Sequence, residues 1–195
     1  GEDILDPYGG AFKVTKGLSS KYPNRVFSSP ISESGIVGLG IGLAISGWKP
    51  IVEIMFGDFM TLTVDAIVNH ASKFNEMYDE KVNVPIVIRT PMGAGRGYGP
   101  THSQNLETLF LNCPGLEIVA ISRFHDNGKL LENATLKTLI PTLFIENKLL
   151  YPKDSFDRHD KDSLFSLRYV SYETNQAEGS VTAIIKDDKE IQQLK

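Results

Sequence analysis

Short apolar runs alternate with segments of helical spacing through residues 1–151. Strands are predicted at residues 25–28, 51–56, 84–89, 116–121 and 141–146. Helices are predicted between them, at residues 35–46, 60–74, 105–111 and 126–139. Largely apolar strands that are joined through helices are typical of a parallel sheet buried on both faces. The pattern therefore predicts an α/β fold with helices on both faces of the sheet.

The pattern changes after residue 151. Residues 152–180 are interpreted as a linker, because the stretch from 153 to 163 is dense in charge. One strand-like run, VTAII at residues 181–185, then opens residues 181–195, which end in a charged tail. We therefore expect one domain at 1–151, a linker, and at 181–195 a vestige or the start of a truncated C-terminal domain.

Composition excludes several classes of protein. The 195 residues carry 20 basic and 24 acidic side chains, a net charge of 20 − 24 = −4, and no basic run, which argues against a nucleic-acid-binding surface. The single cysteine, Cys113, excludes a disulfide framework and is interpreted as a small buried side chain. No apolar run reaches the roughly 18 residues of a membrane helix. Because the N-terminus also lacks the features of a signal peptide, we expect a cytoplasmic protein without a membrane partner.

Glu33 is the first candidate for chemistry. It follows Pro30 and precedes the apolar helix, at the edge of the sheet where ligands of open α/β folds bind. One interpretation is that its carboxylate stabilises the positive end of the helix, which Ser32 or Ser34 would cap. The other is that a carboxylate beside an apolar segment has a perturbed pKa and transfers protons.

His102 is the second candidate, because it follows a loop with glycines at positions 93, 95, 97 and 99. Such a backbone can pass close to a ligand, with the histidine as acid, base or donor. The alternative is a surface turn that carries an ordinary histidine. The four histidines show no metal-ligand spacing, so a zinc site is not expected. Asp58 and Asp65 are interpreted as capping or solvated residues of the second helix.

The glycines at positions 38, 40 and 42 form part of a G-x-G pattern inside the apolar helix. A dinucleotide-binding loop would need its third glycine at position 45, where Ile45 stands. Close packing of the helix is therefore favoured over phosphate binding.

Several segments, in the same order along the chain, resemble one family. They are YGGAFKVTKGL at 8–18, PISESGIVG at 30–38, GWKPIVE at 47–53, THSQ at 101–104, CPGL at 113–116 and IENKLLY at 145–151. Through these motifs the chain resembles the beta subunit of the thiamine-diphosphate-dependent first component of 2-oxo acid dehydrogenases. The resemblance covers residues 1 to about 151 and implies the transketolase-like pyrimidine-binding fold.

The resemblance also implies roles for four residues. Glu33 would meet N1′ of the aminopyrimidine of thiamine diphosphate and favour the imino tautomer, whose nitrogen accepts the proton of thiazolium C2. Phe59 would stack on the pyrimidine, and Ile31 would form an apolar wall of the same pocket. His102 would assist substrate binding or transfer of the acyl group to a lipoyl group.

The partners follow from the same resemblance. An alpha-type subunit would hold the diphosphate and Mg²⁺, the beta-type chain would self-associate within a heterotetramer, and a lipoyl domain would accept the acyl group. This chain alone is then expected to be inactive. Two alternatives stay open: a subunit of a split transketolase or deoxyxylulose-phosphate synthase, and a non-catalytic assembly module with the same fold.

Overall fold

Four parallel strands form the sheet of the domain. They are β1 (Ile51–Glu53), β2 (Val87–Met92), β3 (Glu117–Ala120) and β4 (Thr142–Asn147), and they lie in the order β1-β2-β4-β3. The structure is a computed structural model that describes residues 1–122 and 125–151, and the backbone of 172–173 and 176–177. The parallel α/β fold predicted from the sequence is confirmed. Four of the five predicted strands are also confirmed, with ends displaced by a few residues.

The predicted strand at residues 25–28 is wrong. The chain there is irregular and pairs with the rest of the protein through a single bridge between Ser29 and Glu2. The run contains only two adjacent apolar residues, and one of them, Phe27, remains exposed. Two apolar residues that bury so little surface do not stabilise a strand against the loss of backbone entropy.

Helices of three kinds connect the strands. The α-helices are α1 (Leu18–Lys21), α2 (Glu33–Ile45), α3 (Phe74–Met77) and α4 (Asn127–Leu136). The 3-10 helices are Gly57–Thr63, Pro100–His102 and Glu107–Leu109, and Ala66–Ala71 is a π-helix. The expected single helix at 60–74 is therefore wrong in kind. Within it the Thr63 hydroxyl donates to the carbonyl of Met60, three residues back, which favours the tighter 3-10 turn.

The two faces of the sheet are covered by different helices. Residues at the start of β2 alternate between them: Ile88, together with Ile86 just before the strand, packs in the core beneath α2, whereas Val87 packs in the core beneath α4. The α2 side holds the larger core, and Gly40 allows the close approach there. A Cβ at Gly40 would lie 2.6 Å from Ile86 and 2.7 Å from Val52. Close packing therefore explains Gly40, whereas Gly38 and Gly42 face open space.

The direction of α2 places its first residue at the functional edge. α2 leads into β1 through a short turn and contacts the 3-10 helix that follows β1. A helix that returns the chain to a parallel strand in this way has its amino end at the carboxyl edge of the sheet. The segments that follow β1, β2 and β4 begin at this same edge. Ligands of open α/β sheets bind there.

Residues beyond the domain are described only in part. Within the predicted linker, β5 (Tyr172–Glu173) and β6 (Gln176–Ala177) pair antiparallel. The other residues of 152–180 and the whole of 181–195, with the predicted strand at 181–185, lie outside the described residues. In the part of the chain that the structure describes, no helix is long and apolar enough to cross a bilayer.

Candidate functional site

Glu33 begins α2 and is buried, with 6% of its surface exposed. The positive end of the helix dipole stabilises a carboxylate at this position. Ser32 occupies the N-cap position as predicted, but its side chain makes no capping hydrogen bond. Among the described residues, none donates a hydrogen bond to the Glu33 carboxylate. A buried carboxylate with open acceptor positions is suited to bind a donor from a ligand.

Glu2 is a second buried carboxylate near enough to Glu33 to feel its charge, and no feature of the sequence pointed to it. Its Oε2 atom is buried and has no hydrogen-bond partner. Burial raises the pKa of Glu2, and the negative charges of Glu33 and Asp3 raise it further. The two carboxylates come together because the segment that starts the chain bridges to Ser29, just before α2.

Phe59 and His102 are in contact. Phe59 lies in the 3-10 helix Gly57–Thr63, half-buried against the core. The ring of His102 stands edge-on to Phe59 at 5.2 Å between centroids and to Phe56 at 4.7 Å. The structure therefore brings together two of the residues predicted from the sequence, which the segments after β1 and β2 supply.

The loop before His102 has a backbone conformation that requires its glycines. Gly93, Gly95, Gly97 and Gly99 all have positive φ, between +76° and +102°, which other residues rarely adopt. The loop is closed by a hydrogen bond from the Gly93 amide to the Gln104 carbonyl, 3.3 Å long. Because the His102 side chain is half-buried against aromatic rings, it differs from an ordinary histidine on a surface turn.

Asp58 and Lys148 bind the residues at the end of this loop. The prediction that Asp58 is solvated is wrong. Asp58 is buried and accepts hydrogen bonds from the backbone and the side chain of Gln104. The ammonium of Lys148 donates to the carbonyl of His102 at 2.5 Å. Asp65, by contrast, is exposed and accepts from the side chain of Asn69.

Ile31 precedes α2 by two residues, and 78% of its surface is exposed. It and Glu33 lie at the start of a helix that contacts the segment carrying Phe59. An apolar side chain that nothing in this chain covers can form one wall of a pocket completed by a ligand or a partner.

A buried ion-pair network lies at the same edge of the sheet. Arg89 on β2 binds Glu53 on β1 and Glu146 on β4, and the Tyr151 hydroxyl donates to Glu146. Burial opposes the charge of Arg89, but the carboxylates of Glu146 and Glu53 outweigh it and raise its pKa. Tyr151 in turn stacks on Phe12, whose ring contacts Phe56. The network thus ties three strands to the aromatic residues around His102.

No group of three or more His, Cys, Asp or Glu side chains among the described residues is placed to hold a metal ion. Cys113 is buried, as expected, and its thiol donates a hydrogen bond to the Ser72 hydroxyl at 3.3 Å.

Known proteins similar to this chain match most of residues 1–151. The chain is 43% identical over 152 residues to the pyruvate dehydrogenase E1 component subunit beta-1, mitochondrial, of Arabidopsis thaliana, covering 77% of this chain and 41% of that protein. It is 42% identical over 160 residues to the acetoin:2,6-dichlorophenolindophenol oxidoreductase subunit beta of Cupriavidus necator, covering 77% of this chain and 47% of that protein. The chain therefore spans less than half the length of these relatives.

A solved structure shows the same fold. It is titled a split gene transketolase, inactive beta4 tetramer, and superposes with a TM-score of 0.56 at 18% identity, over 76% of this chain and 43% of the other. The family model of the transketolase pyrimidine binding domain matches residues 1–153. Because this match covers most of the sequence, the chain belongs to the transketolase pyrimidine-binding domain family.

Proposed function

We propose that this chain supplies the pyrimidine-binding half of a thiamine-diphosphate-dependent 2-oxo acid dehydrogenase, as a beta-type subunit. The observation that carries the proposal is the buried Glu33 carboxylate, which no described residue hydrogen-bonds. Its relatives are beta subunits of pyruvate dehydrogenase and of an acetoin oxidoreductase, at 43% and 42% identity.

The residues present fit an aminopyrimidine. Glu33 offers an acceptor at the start of α2, Phe59 a half-buried aromatic face, and Ile31 an exposed apolar side chain. We propose that Glu33 holds a proton at the ring nitrogen N1′, that Phe59 stacks on the ring and that Ile31 packs against its edge. When bound, thiamine diphosphate supplies the electron sink for loss of carbon dioxide.

His102 would act later in the same site. Its ring lies against Phe59, so it would face the reacting atoms of a substrate held beside the pyrimidine. There a neutral or protonated imidazole can donate a hydrogen bond to a substrate carboxylate or to the acyl group in transfer. The expected acceptor of that group is a lipoyl domain.

The other half of the site would come from a partner. We propose that an alpha-type subunit binds the diphosphate and Mg²⁺, and that two copies of each chain form a heterotetramer. The support is that the relatives are named as beta subunits, which implies a second kind of subunit in their assemblies.

The decisive experiment is Glu33→Gln in the full-length protein reconstituted with its alpha-type partner. Loss of a positioned acid-base group is expected to lower kcat for decarboxylation by about 100- to 10,000-fold. The matched control is Glu132→Gln, which removes an exposed carboxylate on α4 and should leave the rate unchanged. An unchanged rate in Glu33→Gln would contradict the catalytic assignment.

The substrate is decided by screening the wild-type complex. Pyruvate, branched 2-oxo acids and acetoin test the proposed class and its two named relatives. Turnover of sugar phosphates alone would favour a split transketolase or deoxyxylulose-phosphate synthase. A complex that assembles but turns over none of these substrates would favour the non-catalytic module.

A further inference from the structure

Among the described residues, Lys148 is the cation with the smallest exposed fraction. It follows β4, and 0% of its surface is exposed. Its ammonium donates to the His102 carbonyl at 2.5 Å, lies 4.0 Å from Asp58 Oδ2 and faces the Phe56 ring at 5.1 Å. A buried charge is tolerated only where partners such as these replace water.

Asp58 holds the same segment from the other side. Its Oδ1 atom accepts from the Gln104 amide at 3.1 Å and from the Gln104 side chain at 2.9 Å. Its Oδ2 atom makes no hydrogen bond and faces Lys148. The Lys148 ammonium therefore binds the carbonyl of His102, and the Asp58 carboxylate binds the amide of Gln104. The two charged groups also face each other.

The pair of Lys148 and Asp58, which we call the clamp, is attached to the sheet through the backbone of Lys148. The backbone amide of Lys148 donates to the Met92 carbonyl at 3.0 Å, at the end of β2. The loop that begins at Gly93 contains four glycines with positive φ, a composition that favours many conformations. A loop of this kind does not fix a side chain at its far end, so contacts from outside the loop are needed to orient His102.

We propose that Lys148 and Asp58 are positioning residues that hold the His102 segment so that the imidazole stays against Phe59. Neither side chain needs to touch the substrate, because each acts through the backbone of residues 102–104. The role of His102 in the reaction rests on the proposed function. The ordering of the loop by Lys148 and Asp58 is independent of it.

The opposite charges of Lys148 and Asp58 contribute to positioning the loop, in addition to their hydrogen bonds with its backbone. Burial lowers the pKa of Lys148, and the charge of Asp58 opposes that decrease. Removing the Asp58 carboxylate leaves the buried Lys148 ammonium without this anionic partner. It therefore also weakens the hydrogen bond from Lys148 to the His102 carbonyl.

The first test is amide hydrogen exchange in the full-length protein with Lys148→Met, which keeps the length of the side chain and removes the charge. Exchange at the Gln104 amide and in peptides covering 93–104 is expected to become at least tenfold faster. The matched control is Lys73→Met, since Lys73 also donates to a backbone carbonyl, that of Pro114 at 3.0 Å, away from the loop. Exchange of the loop should stay unchanged in that control.

The second test is a double-mutant cycle in the reconstituted complex. Lys148→Met is expected to lower kcat by about 10- to 100-fold, the effect of a misplaced reacting group. If Lys148 acts through His102, adding it to His102→Ala lowers kcat no further. Effects that multiply would overturn the positioning role.

Asp58→Asn keeps the proposal open to disproof if Lys148→Met fails to fold. Asparagine retains an acceptor for the Gln104 amide and removes the charge that faces Lys148, so a smaller but clear increase in loop exchange is expected. Exchange equal to the control in every folded variant would overturn the clamp. If the wild-type complex has no 2-oxo acid activity, the proposed function fails, and the exchange measurements alone still decide the clamp.

Discussion

At the scale of single residues, the buried carboxylate of Glu2 sets a pH dependence. Burial, then the charge of Glu33, raises the pKa of Glu2 above that of an exposed glutamate. A carboxyl group with a raised pKa in the folded state binds its proton more tightly when folded than when unfolded. The ionised form of Glu2 therefore destabilises the fold above the raised pKa. This penalty begins to shrink as the pH falls through the raised pKa and is gone below the ordinary pKa of the unfolded chain.

Glu2→Gln is expected to raise the free energy of unfolding near neutral pH by about 1 kcal/mol, because it removes an unpaired buried charge. The gain should shrink towards zero as the pH falls below the raised pKa of Glu2, where both side chains are uncharged. Urea denaturation over a pH series measures it. Glu132→Gln on the exposed surface of α4 should give no such trend. A loss of stability in Glu2→Gln of equal size at every pH would contradict the argument.

At the scale of elements, the glycines of α2 differ in what surrounds them. We expect Gly40→Ala to lower the free energy of unfolding by about 1–3 kcal/mol, because the added methyl group would overlap Ile86 and Val52. Gly42→Ala is the matched control in the same helix, with no atom within 4 Å of its Cβ. Its higher helix propensity should stabilise the domain by up to about 1 kcal/mol. Thermal or urea denaturation of both variants checks the difference, and equal effects would contradict it.

The elements that could be predicted are those that burial alone decides. β2 was predictable because its β-branched residues pack on both faces of the sheet, and α2 because a continuous apolar run follows serines that can begin a helix. The kind of helix at 60–74 was not predictable. Threonine hydroxyls and tertiary contacts favour 3-10 and π turns there, and the hydrophobic spacing is the same as for an α-helix.

The candidate site was predictable only in its separate parts. Glu33 and His102 were candidates from their positions in the sequence, and Phe59 and Ile31 through the family resemblance; all four lie in segments that meet at one edge of the sheet. The contacts of Lys148 with Asp58 and His102 depend on β4 lying next to β2, and the effect of the Glu33 charge on Glu2 depends on the bridge to Ser29. Neither the strand order nor a single bridge is encoded in the local spacing of residues.

At the scale of the whole molecule, apolar side chains around the start of α2 remain uncovered. Ile31 and Phe27 precede the helix, and Leu39, with 63% of its surface exposed, lies on it. A helix that is apolar on all sides is normally covered on all sides. If the half-site beside Glu33 is completed as proposed, we expect the alpha-type subunit to cover this face.

Leu39→Asp tests that proposal. In the isolated protein the side chain faces solvent, so the free energy of unfolding should change by no more than about 0.5 kcal/mol. In the complex it would place a charge in an apolar contact, so the dissociation constant for the alpha-type partner should rise about tenfold or more. Analytical ultracentrifugation and calorimetric titration measure that constant. The control is Leu136→Asp at the end of α4, where 57% of the side chain is exposed on the other side of the sheet. Equal effects of the two variants on assembly would place the interface elsewhere, because only the α2 face adjoins Glu33.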